Sequence, residues 1–260
     1  MTSRKPLQIF LAVERALFLR ELNMKMSVGK AGLFWTFFEP FMQVTMIILI
    51  RVVMMGRSSA NYDITVFMAS GFIAFNMFRT ILSSSTNAFI ANKGLFNYKQ
   101  VKPIDTILAR LLVSMFITCI IVLMFLFIGF FFQYENLKPE NLLLVVFGYL
   151  WLAIFSFAVS LVVTIGNTFF TSIGKLVGVL SFGLMLGSAV FFPMISLPLE
   201  YQEYLLYNPL VHFMEMIHGG YVYELDTKLV DYRYMLIWTI VPLFMGSWLY
   251  TKLEKRIISE

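Results

Sequence analysis

His212, Glu215 and His218 follow one another at intervals of three residues, a spacing that puts neighbours on one face of a helix. Histidine and carboxylate at such offsets can hold a metal ion. The zinc-peptidase helix needs His-Glu-x-x-His, however, and the chain has no such pattern. No further ligand types cluster beside them, so the plainer reading is polar residues at an outer head-group boundary. Gly174-Lys175 looks like the end of a phosphate-binding loop. That loop needs a Ser or Thr next and a Gly five residues before Gly174, where the chain has Leu176 and Phe169. ATP is not held by that motif. Glu39, followed by Pro40, suggests a helix distortion or an ion pair near the inner end of an apolar segment; alone it makes a poor proton relay. Cys119 is the single cysteine, which leaves no intrachain disulfide and no cysteine metal cluster. The 28 Phe, 12 Tyr and 4 Trp have faces that stack on sugar C–H groups, but lipid contact and an interfacial aromatic belt account for most of them.

The elements that carry these residues are membrane spans. Of 260 residues 59% are hydrophobic and 13% charged, with a mean hydropathy of +0.80. That composition excludes a disordered chain, a secreted disulfide scaffold and an ordinary soluble enzyme. The net charge of +5 is spread along apolar segments, which favours anionic lipid over nucleic acid. A span needs about 20 mostly apolar residues. Charge-free runs cover Leu111 to Tyr134, Asn141 to Gly174 and Leu176 to Leu199, with a shorter one from Tyr234 to Thr251. Two more spans tolerate charges able to snorkel, Phe34 to Met55 with Glu39 and Arg51, and Ile64 to Asn87 with Arg79. An all-α integral membrane protein with six transmembrane helices is expected. An even count puts both termini on one side. That side holds 15 of the tallied Lys and Arg residues against 5 on the other, so the termini are assigned to the cytoplasm.

The remaining segments differ in character. Leu7 to Met26 places Leu7, Phe10, Leu11, Leu17, Phe18 and Leu22 near helical spacing and reads as an amphipathic interfacial helix. The residues Glu14, Arg15, Arg20 and Glu21 break up any cleaved-signal pattern there. The chain thus reads as one membrane domain over 1–260, with an interfacial segment 1–33, a six-helix body 34–251 and a cytoplasmic tail 252–260. Two long connections stand out. The cytoplasmic one, Ala88 to Thr106, is AFIANKGLFNYKQVKPIDT; Leu95, Phe96 and Tyr98 with Lys93 and Lys99 suit a short helix lodged in a partner's cleft. Lys102-Pro103 ends it, and Asp105 can cap the next span. The external one, Pro193 to Arg233, contains Leu210 to Tyr223, apolar but too short to cross, as expected of a re-entrant or interfacial hairpin between the fifth and sixth spans.

Four stretches together resemble the permease subunits of ABC-type polysaccharide exporters, the KpsM-like capsule group within the type-2 ABC export family. GLFWTFFEP, Gly32 to Pro40, is similar to the family's first-span opening and includes Trp35, Glu39 and Pro40. NKGLFNYKQVKPIDTILAR, Asn92 to Arg110, is similar to its coupling-helix segment and is the most specific of the four. FFPMISLP runs from Phe191 to Pro198, and YNPLVHFMEMIHGGY from Tyr207 to Tyr221 matches the family's Asn-Pro-x-x-His-x-x-Glu. The likeness spans essentially the whole chain. It departs at Ile217-His218, where many relatives have an Arg, so no role is assigned there.

The resemblance implies a homodimer in the bacterial inner membrane, paired with two copies of a cytoplasmic ATPase that binds ATP and Mg, so that this chain needs no cofactor of its own. The cargo is a lipid-linked capsular polysaccharide, handed on to periplasmic and outer-membrane export proteins. It also implies roles: Asn92, Lys93, Leu95, Phe96, Asn97, Tyr98 and Lys99 in ATPase coupling, and Pro193, Pro198, Asn208, Pro209, His212 and Glu215 in an external gate. Between a structural and a polymer-contacting role for His212 and Glu215, the structural one is preferred. Two other classes stand beside this reading. One is a type-2 ABC permease for an O-antigen or teichoic-acid-like polymer, a lipid or a drug. The other is a membrane-embedded transferase, which would need acidic or His residues clustered at one membrane face. Cysteine labelling of intact cells is expected to reach Asn136→Cys and Asp226→Cys from outside, and to spare Asn97→Cys and Glu260→Cys. External labelling at position 97 would overturn the topology.

Overall fold

The computed structural model describes residues 6–26, 32–55, 63–133, 137–222 and 227–259. The labelling positions Asn136, Asp226 and Glu260, and parts of the 1–33 segment, lie outside them. All regular structure among the described residues is helical: α1 (Pro6–Met26), α2 (Gly32–Met55), α3 (Ile64–Thr86), α4 (Ala88–Ala91), α5 (Pro103–Phe131), α6 (Leu142–Phe169), α7 (Ser172–Leu186), α8 (Leu199–Leu205), α9 (Pro209–Tyr221) and α10 (Tyr232–Ser259), with short 3-10 turns between some of them. Of these, α3, α5, α6 and α10 are long and apolar enough to cross a membrane, and Phe34–Ile50 within α2 and Ser172–Leu186 are shorter apolar helices.

The bundle has two ends. The proximal end carries α1, the loop between α3 and α5, and the last turns of α10; the distal end carries α8, α9 and the first turns of α3, α6 and α10. Short polar side chains start the distal helices. Asp63 Oδ1 accepts from the Thr65 and Val66 amides at 2.9 and 3.3 Å, and Asn141 Oδ1 accepts from Leu144 N at 3.1 Å. Asp231 Oδ1 does the same for Arg233 N and Tyr234 N at 2.9 and 3.0 Å. Each satisfies helix-end amides that have no partner within the helix.

The core is built around α3, which is buried along most of its length and packs against α2, α5, α6, α7 and α9. Phe78 of α3 stacks on Phe155 of α6 with centroids 5.8 Å apart, and Phe155 stacks in turn on Phe213 of α9 at 5.0 Å. Trp151 Nε1 donates to Thr239 Oγ1 at 3.0 Å and joins α6 to α10.

Three sequence expectations change. The charge-free run Leu176 to Leu199 is helical only as far as Leu186, and at about 1.5 Å per residue the 15-residue α7 is shorter than an apolar core of about 30 Å. The chain turns at Gly187, and Ala189 takes a φ of 56°, in the left-handed region. The turn is held from outside the helix, because Asn208 Nδ2 donates to Gly187 O and to Ser188 Oγ, both at 2.9 Å. The third span begins earlier than its charge-free run, at Pro103. Finally, α1 turns its polar side inward: Glu14, Leu17 and Glu21 are buried, while Leu7, Phe10, Leu11 and Leu19 are exposed.

Helix α9 seats in a groove that small residues open. A Cβ on Gly71 would come 2.4 Å from His218 Nε2, and one on Gly148 would come 2.7 Å from Ile217 Cγ1. Gly71→Ala is expected to lower the thermal stability of the detergent-solubilised protein by about 1–3 kcal/mol through overpacking. Gly94→Ala, where nothing lies within 4 Å, serves as the unaffected control.

Candidate functional site

At the proximal end the expected coupling segment is two tight turns in place of one helix: α4, then a 3-10 turn at Lys93–Asn97. Phe96 is buried and meets Phe89 edge-on, with ring centroids 6.4 Å apart. Both rings belong to a cluster with Ala88, Ile107, Leu161, Ile165, Tyr250 and Ile257. Phe96 therefore anchors the segment to its own chain and does not project toward a partner. Lys93, Asn97, Tyr98 and Lys99 are exposed, and Leu95 is half-buried. Asp105 is an N3 residue, not the cap itself: its Oδ2 accepts the Lys102 amide at 2.9 Å and closes the turn leading into α5.

Behind this surface lies a charge network. Arg20 of α1 donates through Nη2 to Asn92 Oδ1, and Asn92 Nδ2 donates to Ala88 O at 2.9 Å. Glu21 Oε1 is 3.1 Å from Arg20 Nη2 and 3.4 Å from Arg110 Nε. Arg110 also donates to the Ser84 carbonyl near the end of α3. One carboxylate thus joins α1, α5 and, through Asn92 and Ser84, both sides of the loop. A second tie lies beside it. Asn167 Nδ2 donates to Thr86 O at 3.1 Å and Asn87 Oδ1 at 3.0 Å, and Asn167 Oδ1 accepts Gly174 N at 2.8 Å. The residues Arg20, Glu21, Arg110 and Asn167 were absent from the sequence-based candidates. Charges in so charge-poor a chain, with Glu14 and Glu21 seven apart on one helical face, were the available signal.

Glu14 is the unbalanced member. Both its carboxylate oxygens are buried without a hydrogen-bond partner, and burial, with Asp105 adding repulsion, pushes its pKa up to about 7.

At the distal end α8 and α9 form a helical pair. Pro193 O accepts from Ser196 N at 3.1 Å and Ser196 Oγ at 2.8 Å, forming the 3-10 turn Met194–Ser196, and Pro198 precedes α8. Asn208 Oδ1 accepts Leu210 N at 3.1 Å, and Pro209 takes the first helical position, where its missing amide costs nothing. Glu215 Oε1 accepts Met194 N at 3.1 Å. His212 Nδ1 accepts Asp231 N at 3.2 Å, which makes Nε2 the protonated nitrogen that donates to Leu206 O at 3.0 Å. His218 is fully buried and stacks on Phe67 at 3.9 Å. The three polar residues of α9 therefore serve three different neighbours. Among the described residues no three His, Cys, Asp or Glu side chains converge as metal ligands.

Trp35 and Glu39, from the first-span opening, are exposed on α2. Trp35 sits edge-on to Phe34 and Phe38, and Glu39 Oε1 accepts from Gln43 Nε2 at 3.3 Å. Pro40 lies inside α2, which runs through it without interruption.

The pattern of the ABC-2 type transporter family matches residues 12–222, from within α1 to the end of α9. The chain belongs to this family. The polysialic acid transport protein KpsM of Escherichia coli is 32% identical over 246 residues, covering 94% of this chain and 95% of the relative. The capsule polysaccharide export inner-membrane protein CtrC of Neisseria meningitidis is 26% identical over 242 residues, 93% of this chain and 91% of CtrC. BexB of Haemophilus influenzae, also named as a capsule polysaccharide export inner-membrane protein, is 24% identical over 245 residues, 94% and 92% of the two chains. In this ABC-2 chain the proximal network and the distal pair both lie within the matched residues.

The burial of Glu14 sets a pH dependence. Its pKa of about 7 in the fold lies above the ordinary 4.5, so the residue is tolerated while protonated and destabilises the fold as pH climbs from 4.5 through 7. Glu14→Gln is expected to stabilise the solubilised protein at pH 8 by on the order of 2 kcal/mol, and to change little at pH 5. An equal gain at both pH values would show that Glu14 is not the titrating group.

Proposed function

We propose that this ABC-2 chain is the transmembrane permease subunit of an exporter that moves a lipid-linked capsular polysaccharide across the bacterial inner membrane, driven by a separate ATPase. The relatives' names supply the cargo class. The observation that carries the mechanism is the surface at residues 92–99. Four exposed polar or aromatic side chains stand on a turn that is pinned beneath by Phe96 and tied by Asn92 to Arg20. A surface that must transmit force needs this combination of accessible contacts and a rigid root.

ATP and its magnesium belong to the partner subunit, since the residues around Gly174-Lys175 lack the Gly and hydroxyl that a phosphate-binding loop requires. Docking of two such ATPases on the proximal end makes that end, with both termini, cytoplasmic. A second copy of the chain covers α2, because Glu39 and Gln43 are polar groups on the exposed side of an apolar helix and a carboxylate facing lipid is costly. The α8–α9 segment lies at the periplasmic exit as a re-entrant unit, with the backbone of α9 shielded by α3 and α6. Periplasmic and outer-membrane export proteins receive the polymer there.

The opposite exposures of Phe96 and Tyr98 provide the test. Tyr98→Ala removes an aromatic contact from the docking surface, where one such side chain is worth on the order of 2 kcal/mol. Capsule export and co-purification of the ATPase are expected to fall, while the isolated permease keeps its thermal stability. Phe96→Ala is expected to lower stability as well, through loss of packing against Phe89. Parental export by Tyr98→Ala, with the ATPase still bound, would place the docking surface elsewhere.

A further inference from the structure

Between α1, α2, α3 and α5 lies a cavity of about 340 Å³ that the transport reading does not use. This is within the range of about 300–1,000 Å³ typical of small-molecule sites. Its lining changes in character along its length. Lys25, Thr36, Asn76, Thr80, Ser114 and Thr118 supply polar groups, while Val44, Ile73, Met77, Ile117 and Ile121 supply an apolar wall. Lys25 is near the proximal end of the bundle, in the last turn of α1, and Ile121 is about two helical turns deeper along α5 than Ser114.

Two features of the polar part point to a ligand. Ser114 is buried, and its Oγ lines the cavity region without a hydrogen-bond partner; a hydroxyl left unpaired in an apolar bundle is costly. Lys25 joins neither of the ion pairs made by Glu21, which binds Arg20 and Arg110 instead. Burial lowers the Lys25 pKa from its ordinary value, with Glu21 opposing this and Arg110 adding to it. The cavity thus offers a positive charge and hydroxyls toward its proximal side, with an aliphatic wall running deeper into the bundle. The α1 backbone is fixed there as well: Thr36 Oγ1 is 3.1 Å from Lys25 O and 2.8 Å from Gly32 O, tying the end of α1 to the start of α2.

We infer that this cavity binds one anionic phospholipid of the surrounding leaflet, its phosphate at Lys25 and the Ser114 and Thr118 hydroxyls and an acyl chain along Ile73, Ile117 and Ile121. The lipid completes the contact of α1 with α2 and α5, and it is a resident of the permease distinct from any exported molecule. A zwitterionic lipid presents the same phosphate with a compensating cation, and free phosphate lacks the chain. The first therefore gains less from the Lys25 charge, and the second gains nothing from the apolar wall.

Native mass spectrometry of the full-length protein, delipidated and then titrated with dioleoylphosphatidylglycerol, dioleoylphosphatidylcholine or inorganic phosphate, separates these cases. One phosphatidylglycerol is expected to bind in preference to phosphatidylcholine, with no retained phosphate. Lys25→Gln should weaken it about tenfold, as loss of a charge-assisted hydrogen bond does. Thr118→Leu, which fills the cavity, should abolish the preference; if that variant does not fold, Lys25→Gln decides alone. Equal retention of phosphatidylcholine, tight binding of phosphate by itself, or undiminished phosphatidylglycerol binding to Lys25→Gln would each overturn the assignment.

Discussion

A bundle with this few charges must satisfy the ends of its helices without water, and the side-chain amides of Asn167 and Asn208 meet that constraint at the two places where chain direction changes most abruptly. A free backbone carbonyl or amide inside an apolar bundle costs several kcal/mol. Asn167 satisfies the last carbonyl of α3 and an amide in the first turn of α7 at once. Asn208 satisfies the carbonyl that ends α7 and the amide that starts α9. Each amide has a donor and an acceptor side, so one residue closes two helix ends. The early stop of α7 follows from this. A further turn of helix would occupy Gly187 O internally and take that acceptor away from Asn208 Nδ2.

The inward face of α1 obeys the same rule with charges. An interfacial helix that only rested on lipid would turn its apolar residues to the membrane and its charges to water. Here Glu21 meets Arg20 and Arg110, and Arg20 meets Asn92, so the charged stripe becomes the contact between α1 and the bundle. A buried ion pair of this kind gives little net stability, because desolvation offsets most of the attraction. What it supplies is geometry: breaking it strands a charge, so α1, α5 and the loop after α3 hold one register.

Hydropathy made the long helices legible, and the caps at Asp63 and Asn141 sit where the apolar runs begin. The family was legible from Asn92–Arg110 and Asn208–Glu215, where residue types recur at fixed offsets. Two things were not. Charge-free length could not reveal that α7 ends at Leu186, because Leu176 to Leu199 is equally apolar on both sides of the break; the stop is imposed by Asn208, more than twenty residues later. Likewise the exposure of Phe96 could not be read from its neighbours. An aromatic in a basic loop suits a partner's cleft and its own core equally well, and only the convergence of α4, α5, α6 and α10 on Phe89 and Phe96 decides between them.

These ties together form a physical route along the molecule. Asn87, next to the turns at 88–97, shares the Asn167 amide, which holds the start of α7; the end of α7 holds Asn208, and Asn208 starts α9. Helix α7 is short and packs mainly on α3 and α6, so these two joints at its ends carry much of its placement, whereas α3 is packed on nearly every side. Side chains of α9 satisfy backbone groups at the distal end in the same way, through His212 and Glu215. They hold α9 to Leu206, Asp231 and Met194, so the distal segments on both sides of α9 are fixed by side chains of that one helix.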